Sequence, residues 1–345
     1  MAEQTPDKTS DMAKATLADP RWFPLRFDVA RREYHFAFIP AEVHRSIAFL
    51  REAKPSDIRV LPRAAVQQVD AESGPLHLIM HSGLGGSTLI ARALAQPGAA
   101  VALQEPPILT DVIAYGANAP TGERDGLLAE VTRLLARPLS PGEAIVCKLS
   151  GIANGLAPSM LAAHTDSKLL CIDNPLEQLL ASFAARGASG RMAGRQLLIG
   201  IRNSRMFAFQ MSDEQLLGQT DFQLAALAWL SIQKMMTDTA EALGPTRAAS
   251  ITSEQLMRDS VEALSAIAAH FALNFDVQAV VASGLFSRHA KSGEPFDANE
   301  RAERLADVLG THRPEIDAVA SWAWAMGREA GIQPNLPFPL LQRSA

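Results

Sequence analysis

The stretch Leu76-His-Leu-Ile-Met-His-Ser-Gly-Leu-Gly-Gly-Ser-Thr-Leu-Ile-Ala-Arg-Ala-Leu94 decides the reading of this chain. An apolar run of strand length enters a glycine-rich turn and passes directly into a segment with helical apolar spacing. Gly83, Gly85 and Gly86 let the backbone turn tightly and approach a ligand closely. The free amides of the helix start carry partial positive charge toward that point, and Ser87 and Thr88 add hydroxyl donors. Such a turn is a cradle for a phosphate or sulfate group. A tight strand-to-helix turn with no ligand is the plainer account of the same residues.

A nucleotide-triphosphate P-loop has glycine at the position of His81 and lysine at that of Ser87. Without the lysine, amides and hydroxyls can still hold an anion, but the charge that follows a transferring γ-phosphoryl group is missing.

Composition bounds the rest. A chain of 345 residues with 48% hydrophobic content can bury a large core. A net charge of −5 and a pI near 5.9 give no general attraction for nucleic acid, so any polyanion site has to be local and the expected partner is a small molecule. Cys147 and Cys171 lie inside apolar runs without neighbours at metal-ligand spacing, which fits a reducing cytoplasm. Residues 1–20 are polar and charged and read as a disordered tail without a secretory signal, and no run reaches the length of a membrane span.

Outward from the glycine turn, residues 21–70 read as a small N-terminal α/β addition, with a strand over residues 34–39 and a helix over 41–52. Residues 71–345 read as the main domain. Its apolar runs at 76–81, 100–103, 144–147, 168–172 and 247–251 alternate with helical segments, which predicts an α/β fold of three layers, a central parallel sheet flanked by helices. Asn174 is the expected N-cap of the helix after the fourth run, with Pro175 at its first position; Asp259 and Glu262 form a second capping box. The glycine- and arginine-rich residues 186–205 read as a mobile excursion. The apolar helix over 222–243 and Trp322 and Trp324 belong to the core or to a contact between copies of the chain, so a homo-oligomer is a possible partner state.

Ligands of open parallel sheets collect beyond the carboxyl ends of the strands. The residues that follow the five runs are the glycine loop, Gln104-Glu105-Pro106, Lys148, Asp173-Asn174 and Thr252-Ser253-Glu254. One sheet edge therefore gathers an anion cradle, a carboxylate and an ammonium.

This assembly resembles the sulfotransferase superfamily, a P-loop group in which a Ser-Gly-Thr-Thr type loop holds the 5′-phosphosulfate of the donor PAPS (3′-phosphoadenosine 5′-phosphosulfate). Gly85-Gly86-Ser87-Thr88 matches that loop, and Asn174-Pro175 with Ser182 is similar to the segment that binds the donor's 3′-phosphate. Residues 251–256 and 270–273 resemble the family's Tyr-Glu-Asp-Leu and terminal helix segments, so the likeness covers about residues 76–290. The resemblance implies sulfuryl transfer from PAPS to a hydroxyl or amine of an unknown acceptor, with no metal. It makes Glu105 the general base and Lys148 the charge that meets the leaving oxygen. His81 is a further candidate to donate to an anion or take a proton. Glu105 as a structural carboxylate, Lys148 as a strand terminator and His81 as a satisfied core histidine are the competing readings.

Three departures touch the donor. Leu84 stands where the family's loop has a basic residue, Asp173 stands at its 3′-phosphate arginine, and Ser182 falls one residue late. Arg288 and Lys291, in a compact basic run, or Arg186, Arg191 and Arg195, closing as a lid, are the expected substitutes, against ordinary solvated charge.

Two other classes compete. A P-loop kinase or nucleotide hydrolase would use Leu169-Leu-Cys-Ile-Asp173 as a Walker B strand, with Thr88 and Asp173 on Mg²⁺ of ATP and the 186–205 region as lid. A non-catalytic binding protein would keep the fold without the chemistry.

Overall fold

The computed structural model describes residues 8–287 and 298–342. The described residues include the strands β1 (Trp22–Asp28), β2 (Glu33–Phe38), β3 (Ile58–Pro62), β4 (Leu76–His81), β5 (Ala100–Gln104), β6 (Ala144–Lys148), β7 (Leu169–Asp173) and β8 (Ala248–Thr252). The helices of eight residues or more are α1 (Lys8–Leu17), α2 (Ser87–Leu94), α3 (Ile108–Asn118), α4 (Thr121–Leu135), α5 (Leu176–Ala184), α6 (Ala188–Asn203), α7 (Asp221–Leu243), α8 (Ser260–Phe271) and α9 (Ala298–Glu329).

The last five strands form a wholly parallel sheet in the order β5-β6-β4-β7-β8. Every residue of β4, β5 and β7 is buried, as expected of strands covered by helices on both faces. The chain leaves β4 toward β5 on one side and leaves β7 toward β8 on the other, so the direction of winding reverses between β4 and β7. That reversal opens a crevice at their carboxyl ends, where the glycine loop lies.

His77 takes a place in the apolar β4 because its needs are met locally. Nδ1 accepts from the Lys168 amide at 3.1 Å, and the ring stacks on Phe271 at 5.2 Å.

Strands β1, β2 and β3 form an antiparallel sheet that shares one continuous apolar cluster with β4, β6 and helices α3 and α4. Polar clamps reinforce the seam. Arg26 grips Asp111 of α3 with two hydrogen bonds of 2.9 and 2.8 Å, and Glu130 of α4 receives Tyr34 and Arg63.

Three expectations are corrected. Residues 8–17 of the supposed disordered tail form α1, with Ala13 and Leu17 buried. The reason lies far along the chain: the buried Arg137 guanidinium donates to the carbonyls of Thr16, Leu17, Trp22 and Leu134, capping the end of α1. The arginine- and glycine-rich 186–205 region is the ordered helix α6. Its glycines are packing devices, since a Cβ at Gly190 would stand 2.0 Å from the Phe183 carbonyl oxygen and one at Gly194 would stand 3.0 Å from Ala225 Cβ. Asp221 holds Arg191 and Arg195, and Asp213 holds Arg202. Asn174 does not cap α5. Its side chain accepts from Ser253 Oγ at 3.0 Å, and α5 begins at Leu176 behind Pro175. The Asp259 cap and a Thr252–Gln255 capping box are both formed.

The C-terminal segment ends as a strap on the free edge of β8. Ser250 N donates to Phe338 O and Leu340 N to Ser250 O, each at 2.8 Å. No helix among the described residues is long and apolar enough to cross a membrane.

Candidate functional site

The glycine loop is held by Ser82, which is fully buried. Its amide donates to Ile172 O, and its hydroxyl accepts from Asn174 N at 2.8 Å and donates to Asp173 Oδ1 at 3.2 Å. The ends of β4 and β7 are thereby stitched together across the crevice. Beyond Ser82 the backbone turns through positive φ at Gly83 (102°), Leu84 (56°) and Gly86 (83°). At Gly86 the conformation favours glycine, and a Cβ there would also stand 2.9 Å from Leu256 Cδ2, which would have to shift. Among the described residues, the amides of Gly85, Gly86, Ser87 and Thr88 have no protein acceptor, and neither do the Ser87 and Thr88 hydroxyls. A row of unengaged donors at a helix start is suited to one tetrahedral anion.

Leu84, in the left-handed region that a leucine seldom occupies, packs against the apolar cluster of α5, α7 and α9. No basic side chain reaches the cradle from this position.

On the β5–β6 side, Lys148 Nζ makes a very short hydrogen-bonded ion pair with Glu105 Oε1. The lysine side chain is 1% exposed and the glutamate side chain 18%. Glu105 itself sits at φ +50°, held there by its amide donating to Lys148 O at 2.9 Å. Burial works to raise the Glu105 pKa, but the charge and hydrogen bond of Lys148, with His81 and Arg51 beyond, outweigh it and hold the carboxyl below its ordinary value. Burial lowers the Lys148 pKa against the pull of Glu105. The N-terminal addition covers the pair: Arg51 reaches Glu105 Oε2 at 3.5 Å, and the Phe49 ring lies 5.3 Å from Lys148 Nζ and 4.2 Å from the Arg51 guanidinium.

His81 is 8% exposed; its Nε2 bonds Leu149 O at 3.0 Å, and its own carbonyl accepts from Asn154 Nδ2 at 3.1 Å. Ser182 is half-buried on α5, and Arg186 is exposed just past its end. Arg288 and Lys291 lie outside the described residues. The sequence left Ser82, Phe49 and Arg51 unremarked. Ser82 lies within the quoted motif, but its role requires β7 as a neighbour; nothing in the sequence links residues 49–51 to Glu105.

Toward β8 the crevice widens into a cleft of about 290 Å³. Asp173, Trp229 and Trp324 are among its lining residues; the two indoles meet edge-to-face with centroids 5.5 Å apart, and Trp229 is 1% exposed. Trp229 is fixed by its Nε1 donating to Asn174 O at 2.9 Å.

PAPS, the donor the resemblance implies, fits this edge only in part. The unengaged amides and hydroxyls suit its 5′-phosphosulfate end, whereas the position matched to the 3′-phosphate arginine presents the Asp173 carboxyl, 6% exposed.

No family model matches the chain, and no curated protein does. Among solved structures, the sulfotransferase domain from the curacin biosynthetic pathway shares 13% identity, covering 73% of this chain and 98% of its own, with a TM-score of 0.41. The sulfotransferase domain of the Synechococcus PCC 7002 olefin synthase shares 15% over 68% of this chain and 86% of its own, with a TM-score of 0.39. A sulfotransferase from Alicyclobacillus acidocaldarius shares 13% over 71% and 97%, with a TM-score of 0.36. The α/β fold of the chain is fixed by its own strand order, with five parallel strands and a glycine loop at their switch point.

Proposed function

We propose that the chain is a sulfotransferase-like enzyme that moves a sulfuryl group from a nucleotide phosphosulfate donor to a hydroxyl or amine of a small acceptor. The observation that carries this reading is the row of unengaged donors from Gly85 to Thr88 at the β4/β7 switch point. The donor, when bound, supplies an activated sulfuryl group. The chain supplies an anion cradle without lysine, a carboxylate and a buried ammonium. In this reading Glu105, ionised at neutral pH, takes the acceptor's proton. Its pairing with Lys148 adds a coupling: a proton on Glu105 weakens the ion pair and leaves the Lys148 charge for a developing oxyanion. The kinase alternative still lacks the loop lysine, since Ser87 occupies that position.

Calorimetric titration of the purified chain with adenosine 5′-phosphate, free of metal, tests the cradle. Binding is expected in the wild type and is expected to vanish in Gly86→Ala. Binding of ATP only with Mg²⁺, and of no nucleotide without it, would replace this reading with the kinase one.

A further inference from the structure

Glu105 is a weak base while a cation faces each of its oxygens. Lys148 holds Oε1 in the buried pair, and Arg51 stands 3.5 Å from Oε2. Lys148, His81 and Arg51 are the titratable groups that act on the carboxylate, and together they hold it below its ordinary pKa, ionised and reluctant to accept a proton. For Oε2 to take a proton from an acceptor, one of the two flanking cations has to be drawn away.

The two cations are held very differently. The Lys148 side chain is 1% exposed and fixed beneath the Phe49 ring. Arg51 is 58% exposed, and its ion pairs with Glu105 and Glu52, at 3.5 and 3.8 Å, are longer than the roughly 2.7–2.9 Å of a close charge-assisted bond. Its backbone is anchored, since Leu50 is fully buried in the apolar cluster and Phe49 is 6% exposed. The guanidinium lies over the Phe49 ring, 4.2 Å from its centroid. A planar fork of donors that rests on a ring, reaches solvent and holds its carboxylates loosely is suited to bind another anion.

Its place in the fold is equally specific. The cradle lies at the end of β4 and the Glu105–Lys148 pair at the ends of β5 and β6, so residues 49–51 stand beside the base on the flank of the crevice away from β8. Glu105 itself keeps φ +50°, a conformation seldom taken by a glutamate and one that recurs at functional sites.

We infer that the acceptor carries an anionic group, a carboxylate or a phosphate, a few bonds from its reacting hydroxyl or amine, and that Arg51 binds this group and thereby leaves Oε2 of Glu105 open to the acceptor's proton. The inference rests on the sulfuryl-transfer reading above and names its acceptor class. The short distance between Arg51 and Glu105 limits the ligand, because an anion on the guanidinium and a hydroxyl on Oε2 fall within the length of a short hydroxy acid. A neutral acceptor of the same shape leaves Arg51 on the carboxylate.

The probes are 3-hydroxypropanoate, 2-hydroxyethyl phosphate and the neutral 3-hydroxypropanamide. Their binding is followed by saturation-transfer difference NMR at matched ionic strength in the full chain and in its R51M and K54M variants, with adenosine 5′-phosphate added first to fill the cradle. Methionine keeps the apolar stem of the side chain, Lys54 is an exposed cation of the same segment, and thermal melts check that each variant is folded. At least one of the two anions is expected to bind wild type and K54M about tenfold or more tighter than the amide, and to bind R51M no better than the amide. The stronger of the two identifies the group as carboxylate or phosphate. In chain labelled with carbon-13 glutamate, the Glu105 carboxyl resonance, assigned through E105Q, should titrate at higher pH with that anion bound and at unchanged pH with the amide. No preference for either anion in wild type, a preference that survives in R51M, or a Glu105 titration untouched by the bound anion overturns the inference. Adenosine 5′-phosphate is also titrated alone: its binding leaves the cradle standing beside a failed inference, whereas its failure to bind overturns the sulfuryl-transfer reading and the inference with it.

Discussion

Replacing Lys148 with methionine keeps the length and apolar stem of the side chain and removes its charge. In the wild type the lysine is 1% exposed, has one carboxylate partner, and rests on the Phe49 ring. Taking one member from a buried ion pair commonly costs about 3–5 kcal/mol, because the other charge is left without compensation. Two features reduce that figure for K148M. Glu105 keeps 18% of its side chain in solvent, and Arg51 stays within 3.5 Å of its second oxygen. A loss of about 2 kcal/mol is expected. The reciprocal E105Q strands a lysine with no second anionic partner among the described residues and should cost about 3 kcal/mol. The double variant should recover most of the loss, giving a coupling of about 2 kcal/mol or more between the sites.

The assay is urea unfolding of all four proteins at pH 7 and pH 5, followed by tryptophan fluorescence. The pH dependence has a definite sign. In the wild type Glu105 is depressed below 4.5, so its contribution is present above pH 4.5 and is lost only as pH falls through the lower folded value. In K148M, burial acts without the lysine to oppose it and the Glu105 pKa rises, so the stability gap between wild type and K148M should narrow from pH 7 to pH 5. Additive single losses, or K148M costing more than E105Q, would refute the assignment of the pair as one mutually compensated unit.

Gly86→Ala should cost about 1–2 kcal/mol through its positive φ and the contact with Leu256, seen as a lowered melting temperature, and should also remove nucleotide binding. Arg137→Ala should cost about 3 kcal/mol or more, since four carbonyls lose a buried donor, and limited proteolysis should then cut within residues 8–17 first. His44 and His77 are buried with pKa values lowered from 6.5 to about 4, so both favour a folded state in which they are neutral. Their stabilising contribution is complete above pH 6.5 and drains away toward pH 4; together they should lower the unfolding free energy by about 3–4 kcal/mol between pH 7 and pH 5, read from urea midpoints. The H44Q/H77Q variant should flatten that slope, and an unchanged slope would assign the acid sensitivity to other groups.

Much of the main domain was legible locally. The five core strands appear within about a residue of their expected bounds because fully buried parallel strands are short, continuous apolar runs ended by polar residues. The glycine loop was legible because glycines cluster where the chain takes positive φ, as it does at Gly83 and Gly86, and the Asp259 cap because capping is a contact across three residues. Composition misled where distant partners decide. The arginines and glycines of residues 186–205 resemble a loop until Phe183, Ala225 and Asp221 supply the surfaces that make them a helix. The polar start of the chain resembles a tail until Arg137 caps it.

By itself, then, the sequence determined the α/β alternation and the glycine-rich turn from β4 into α2, since both follow from interactions a few residues apart. Tertiary structure alone decided the order β5-β6-β4-β7-β8, which places the crevice between β4 and β7. It also decided that Glu105 and Lys148 pair under Phe49 and Arg51, and that Asp173, Glu177, Glu254 and Arg258 line one cleft. Charge acts through space, and the distances that set its strength are created only when strands remote in the chain are laid side by side.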